Sequence, residues 1–251
     1  MPTKKKLYYR IVTAIIRVFY KKRAFEGLEN IPEEPCVIIA NHAKTHGPLT
    51  FALFYPRRKL IWSAFEMSDE KLAPSYAYRD FWSGKPKKIR WLYKALAYTF
   101  APLAAKFFRC ADCLPVYRDE RVFATFKGAL KGLNEGIDMI IFPEKHEPYN
   151  AVINDFHEAF VDLGRLYYKK TGKRLAFVPC YNAPMLRKVV FAKPIYYDPK
   201  VDSVEQRKII LNKLKGEITA LAKELPTHKI VPYENVRKKK YKLNSEEITE
   251  I

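Results

Sequence analysis

Three short apolar runs, each stopping on a polar side chain, most constrain what this chain can fold into. Cys36-Val37-Ile38-Ile39-Ala40 runs into Asn41-His42, Leu114-Pro115-Val116-Tyr117 into Arg118, and Met139-Ile140-Ile141-Phe142-Pro143 into Glu144. Runs of four or five apolar residues without helical spacing suit strands covered on both faces, as in parallel sheets. In open α/β sheets, ligands bind in the crevice outside the carboxyl ends of such strands. The expected fold class is therefore α/β, a mostly parallel sheet flanked by helices. A base, a cation and a carboxylate at three strand ends would make a reaction centre. Taken singly, each residue is as readily a strand cap in a loop.

The segments between fit that plan. Lys59–Ala64 reads as a further strand, with Glu66 just beyond it. Residues 121–135 read as a helix with Phe123, Phe126, Leu130 and Leu133 on one stripe and Gly136 as its stop. The strand that follows at once implies a strand–helix–strand unit with parallel pairing and a right-handed crossover. A helix is expected over 155–170, closing at Gly172, then a strand over 174–179 and a short pair within 189–197. Leu211, Leu214, Ile218, Leu221 and Leu225 give the stripe of a helix over 203–225 that stops at Pro226. No linker divides the chain, so the expected organisation is a basic amphipathic segment 1–25, an α/β domain 26–235 and a charged tail 236–251.

Charge points to the kind of partner. The net charge of +19 on 251 residues steers the chain toward anionic surfaces or substrates. Up to Arg23 the sequence holds eight basic residues and no acidic one. At 100° per residue over 5–22, Lys6, Arg10, Arg17 and Lys21 fall on one side with Thr13 between them. Tyr8, Val12, Ile15 and Phe19 fall on the other, flanked by Ile11 and Ile16. An apolar stripe opposite a cationic one lies flat in a membrane interface, or packs on its own domain with the charge solvated. A second stretch, from Tyr76 to Phe108, interleaves Phe81, Trp82, Trp91, Tyr93, Tyr98, Phe100 and Phe107 with Lys85, Lys87, Lys88, Arg90, Lys94 and Lys106. That mixture suits a bilayer headgroup zone, single-stranded nucleic acid, or a helical core with solvated charges. No recognisable nucleic-acid module is present, so no nucleic-acid partner is expected.

Other classes recede. No run approaches the length that crosses a bilayer. The lone Cys110-x-x-Cys113 has no second pair or nearby histidine, so no metal site is expected and the two read as buried small residues. Four cysteines without a secretory leader suit a reducing setting. The chain shows no Gly-x-Gly-x-x-Gly, P-loop or Gly-x-Ser-x-Gly, so neither nucleotide chemistry nor a serine hydrolase is expected.

In order along the chain, these blocks resemble the glycerol-phosphate acyltransferase family, which includes the 1-acylglycerol-3-phosphate acyltransferases. That family carries an NHxxxxD block, an arginine block, an FPEG block and a hydrophobic-proline block. Asn41-His42 matches the first half of block one, Val116-Tyr117-Arg118 the second, Phe142-Pro143-Glu144 the third and Phe177-Val178-Pro179 the fourth, across residues 36 to 180. The resemblance implies a monotopic α/β enzyme with an N-terminal interfacial helix, peripheral to the cytoplasmic face of a membrane. It implies transfer of an acyl chain from acyl-CoA or acyl-carrier protein to a lysophospholipid or glycerol-phosphate-like hydroxyl, with no cofactor. By the match, His42 is the base. Asn41, Arg118, Glu144 and Lys145 then belong to the acceptor site, and Lys6, Arg10, Ile15, Arg17, Phe19 and Lys21 to the membrane contact.

Two positions depart from the pattern. The family's aspartate, five residues after the histidine, is Gly47 here, and Lys145-His146-Glu147 follows FPE. In catalytic triads a carboxylate holds the imidazole in the right tautomer, and its loss costs orders of magnitude in rate. Three alternatives remain open: Glu66 supplies the carboxylate, a backbone carbonyl fixes the tautomer, or the chain binds lipid without chemistry. His46 reads as a stray loop residue or a second base.

Overall fold

The computed structural model describes residues 3–79, 86–234 and 236–246, with the side chains of 3–6, 87 and 110 outside the description. Phe81, Trp82, Lys85 and the last five residues therefore lie outside it. The chain divides into two compact units, one of residues 1–21 and 61–125, the other of 22–60 and 126–251.

The second unit is a mostly parallel sheet flanked by helices. Its strands are β1 (Ala24–Glu26), β2 (Val37–Ala40), β5 (Asp138–Ile141), β8 (Ala176–Ala183), β9 (Lys188–Phe191) and β10 (Ile195–Tyr196), in the order β1-β9-β8-β2-β5. The pairs β1/β9, β8/β2 and β2/β5 are parallel, whereas β9 and β10 pair antiparallel with β8. Every residue of β2, β5 and β8 is buried, which is why these runs show no alternation in the sequence. Helix α7 (Ser203–Glu224) packs on β8 through its leucine stripe, and the Asp202 carboxylate caps it by accepting from Val204 N–H at 2.8 Å. Asp138, with no exposed surface, opens β5 and gathers one corner of this sheet. It accepts from Cys36 N–H (3.1 Å), Tyr55 O–H (2.6 Å) and the Arg57 guanidinium (3.0 Å).

The expected helix over 155–170 begins later. A hairpin of β6 (Glu144–Pro148) and β7 (Asn154–Phe156) takes the first residues, and α6 runs from Asp162 to Thr171 before Gly172 at φ +71° ends it. Asn154 and Asp155 spend their side chains on Lys145 of β6, tertiary bonds that override local helical preference.

In the first unit, β3 (Lys59–Ala64) and β4 (Cys113–Val116) pair in parallel, Ile61 opposite Cys113 and Ala64 opposite Val116. Helix α1 (Thr3–Phe19) lies against α4 (Arg90–Cys110), with the Tyr9 and Phe107 rings 5.2 Å apart. Both helices present apolar side chains outward. On α4, Ala97, Ala101 and Ala105 form the buried face, the last two against Ala73 of α3 (Ala73–Ala77), while Trp91, Tyr98, Phe100 and Leu103 are exposed. On α1, Thr13 is the buried residue, whereas Leu7, Ile11, Ile15, Val18 and Phe19 stand outward beside Arg10 and Arg17. The wheel that set Thr13 among the cations is thus rotated in the structure. Lys21 lies beyond the helix end. No helix among the described residues is long and apolar enough to cross a membrane.

Helix α5 (Val122–Asn134) joins the two units in sequence. It buries Thr125, Ala129 and Leu133, while Phe123 of the expected stripe is exposed.

Candidate functional site

Because β2 and β5 are parallel neighbours, with Val37 opposite Met139 and Ile39 opposite Ile141, their carboxyl ends lie side by side. Asn41-His42 leaves one and Phe142-Pro143-Glu144 leaves the other. The Asn41 amide extends the β2–β8 ladder, donating to Asn182 O (3.1 Å) and accepting from Asn182 N–H (2.6 Å). Glu144, almost fully buried, accepts from His42 N–H at 2.5 Å with one oxygen and from Asn154 N–H at 3.2 Å with the other. Its carboxylate thus fixes the backbone of the histidine and faces no open space.

The His42 ring is held on three sides. Phe142 and Tyr233 each meet it edge to face at 5.3 Å, and Tyr233 also lies 5.0 Å from His146. On the third side Nδ1 bonds the carbonyl oxygen of Lys44. A carbonyl only accepts, so Nδ1 carries the proton and Nε2 keeps its lone pair. Burial drops the imidazole pKa to about 4, against the opposing pull of that carbonyl, so the ring is neutral at physiological pH.

The loop that makes this bond is unusual. Ala43 (φ +46°) and Lys44 (φ +56°) are two consecutive non-glycine residues in the left-handed region, where each costs roughly 1–2 kcal/mol. The turn closes with His46 N–H on Ala43 O (3.1 Å) and Gly47 N–H on His42 O (3.0 Å), and α2 (His46–Phe54) starts there. A Cβ at Gly47 would sit 2.7 Å from His42 O and 2.7 Å from Phe142 Cε1. An aspartate has no room at this position unless the turn is rebuilt.

A strap from the end of the chain also reaches the site. Past α7, Ile230 N–H bonds Lys242 O (2.9 Å), and buried Asn244 donates to Ala222 O (2.8 Å) and Leu225 O (3.0 Å). Between these anchors, Lys44 Nζ donates to Val236 O (2.9 Å) and lies 5.1 Å from the Tyr241 ring. Asn154 Nδ2 bonds Glu234. Burial, followed by the charges of Arg23, Lys44 and Lys238, lowers the His46 pKa, which marks this rim as cationic.

The remaining residues singled out in the sequence fall as follows. Lys145 pairs with Asp155 (3.0 Å), which also pairs with Lys215 (2.8 Å). Glu66 and Arg118 belong to the first unit. Arg118 is exposed beyond β4, and the Glu66 Oε2 atom is buried with no hydrogen-bond partner among the described residues. Beside them Arg121 chelates Asp119 (2.6 Å) and stacks over Phe65 and Tyr117, 4.5 Å from each ring. Sequence reasoning missed Lys44, Asn154, Tyr233 and Glu234. No local signal marks them, because Lys44 and Val236 are 192 residues apart. No group of metal-binding side chains occurs among the described residues.

No protein-family model matches the chain, and no curated protein does. Among solved structures, it is similar to the crystal structure of the 1-acyl-sn-glycerophosphate (LPA) acyltransferase PlsC from Thermotoga maritima. The identity is 15%, over 89% of this chain and 80% of that one, at a TM-score of 0.48.

Proposed function

We propose that this chain is a membrane-associated O-acyltransferase that moves a fatty acyl group from a thioester, acyl-CoA or acyl-carrier protein, to a hydroxyl of a lysophospholipid or glycerol-phosphate-like acceptor. The observation that carries this reading is His42 at the end of β2, its Nδ1–H committed to a carbonyl and its Nε2 left as a neutral base. An alcohol attacks a thioester poorly until a base takes its proton. In this reading Nε2 accepts the hydroxyl proton as the oxygen bonds to the thioester carbonyl carbon. Collapse of the tetrahedral intermediate breaks the C–S bond, and the imidazolium returns the proton to the departing thiolate. Glu144 acts by holding the His42 backbone.

The outward apolar residues of α1 and α4, with Arg10 and Arg17 beside them, support contact with an anionic membrane surface. The same surface fits a second reading, a catalytically inactive lipid-binding relative. One experiment separates the two: purified protein with liposomes, lysophosphatidic acid and labelled acyl-CoA or acyl-carrier protein, run beside His42→Ala. A diacyl product that disappears in the variant supports acyl transfer. Vesicle binding without product from either donor favours the inactive relative.

A further inference from the structure

We propose that the left-handed pair Ala43–Lys44 is the positioning device for His42, a backbone carbonyl doing what a carboxylate does in other histidine-dependent sites. The catalytic meaning of this inference rests on the base role proposed above; the conformational claim stands without it. Three features shape the turn that carries the Lys44 carbonyl oxygen. The backbone takes two left-handed residues in succession to bring that oxygen onto Nδ1. The side chain of the same lysine is tied to the strap through Val236 O at 2.9 Å, so the strained residue is held from its far end as well. At the other end of the turn, Gly47 packs so closely on His42 O and Phe142 that a carboxylate-bearing residue has no space there.

A strained backbone persists only where its surroundings over-determine it, and such strain clusters at functional sites. Here the surroundings are the Glu144 clamp on His42 N–H, the Phe142 and Tyr233 rings, and the strap. Together they leave the imidazole one tautomer and one orientation. The rings meet the imidazole edge to face on two of its sides. Lys44 is thus a positioning residue, acting through its main chain, with its ammonium anchoring the turn to the strap.

The test reads the tautomer directly. In the full chain labelled with 15N-histidine, His42 is assigned by its loss in His42→Gln, and its two nitrogens are followed by long-range proton–nitrogen correlation at neutral pH. The expected signature is a protonated, pyrrole-type Nδ1 and a pyridine-type Nε2. Free imidazole side chains favour the opposite tautomer, so an Nε2–H signature or a mixture overturns the proposal. Lys44→Asn, which tolerates the left-handed region, should retain the signature. Lys44→Ile, whose β-branch resists it, should lose the signature and lower kcat about 100-fold with KM little changed, as expected when a base is displaced by about 1 Å. Should Lys44→Ile fail to fold, Gly47→Asp still decides: it should be less active than the unaltered chain, and a faster Gly47→Asp enzyme overturns the proposal. An Nδ1–H signature in a protein that makes no diacyl product would leave the positioning device standing and reject acyl transfer. Turnover from a protein with an Nε2–H signature would do the reverse.

Discussion

Gly47 packs its α-carbon against the carbonyl of His42 so tightly that a methyl group would lie 2.7 Å from the oxygen. The position that most departs from the acyltransferase pattern is thus closed by the same turn that orients the histidine. Gly47→Ala should cost about 1–3 kcal/mol, the usual range for overpacking a filled site. Gly216, in the exposed middle of α7 with nothing within 4 Å of a new Cβ, provides the contrast. Gly216→Ala should stabilise by about 0.5–1 kcal/mol through helix propensity. Urea denaturation of both variants checks the pair, and equal effects would contradict the packing argument.

The fully buried carboxylate of Asp138 answers Cys36, Tyr55 and Arg57 at once. Burial raises its pKa, while the Tyr55 hydroxyl and the Arg57 charge oppose that rise. Asp138→Ala leaves a buried hydroxyl and a backbone N–H unpaired and should destabilise by roughly 3 kcal/mol or more. Thermal unfolding measures this, and a loss below about 1 kcal/mol would mean that water replaces the carboxylate without penalty.

His42 and Glu144 should give stability two opposed pH dependences. Burial lifts the Glu144 carboxyl to about 7 against its two N–H bonds, with the Glu234 charge adding to the rise. Between about pH 4.5 and 7 the folded chain holds a proton on Glu144 that the unfolded chain has released, so stability falls as pH rises. Between about pH 4 and 6.5 the unfolded chain holds a proton on His42 that the folded chain lacks, so stability rises with pH. Each limb spans roughly 3 kcal/mol at 1.36 kcal/mol per pKa unit, and together they nearly cancel. His42→Gln removes the rising limb. Its unfolding free energy should therefore decline by about 3 kcal/mol from pH 4.5 to 7 where the unaltered chain stays nearly level. Parallel curves for the two proteins would rule out the His42 shift.

Helix α4 turns alanines inward and aromatics outward, so its two faces should respond oppositely to substitution. Ala101→Leu overfills the contact with α3 and should destabilise by about 1–3 kcal/mol with no direct effect on lipid. Trp91→Ser combined with Leu103→Asn should leave stability within about 0.5 kcal/mol and weaken sedimentation with anionic vesicles tenfold or more, since each side chain buries about 1.5–3 kcal/mol of transfer energy. Unchanged vesicle binding would exclude this face as the lipid contact.

The sequence by itself determined the strand ends. Runs such as 36–40 and 139–141 are buried on both faces, and that burial is written in their composition, so Asn41, His42 and Glu144 could be placed at the sheet's carboxyl edge from the sequence. The tertiary structure decided what those residues do there. Both Glu144 oxygens are consumed by backbone N–H groups, and Asn41 spends its amide on β8; neither outcome depends on local sequence. The same holds for the rotated face of α1, since a wheel reports which side is apolar but not which side finds a neighbour. The orienting group for His42 was the least legible of all. It is a main-chain atom, which no residue letter encodes, held by a strap whose contact with Lys44 closes 192 residues of chain.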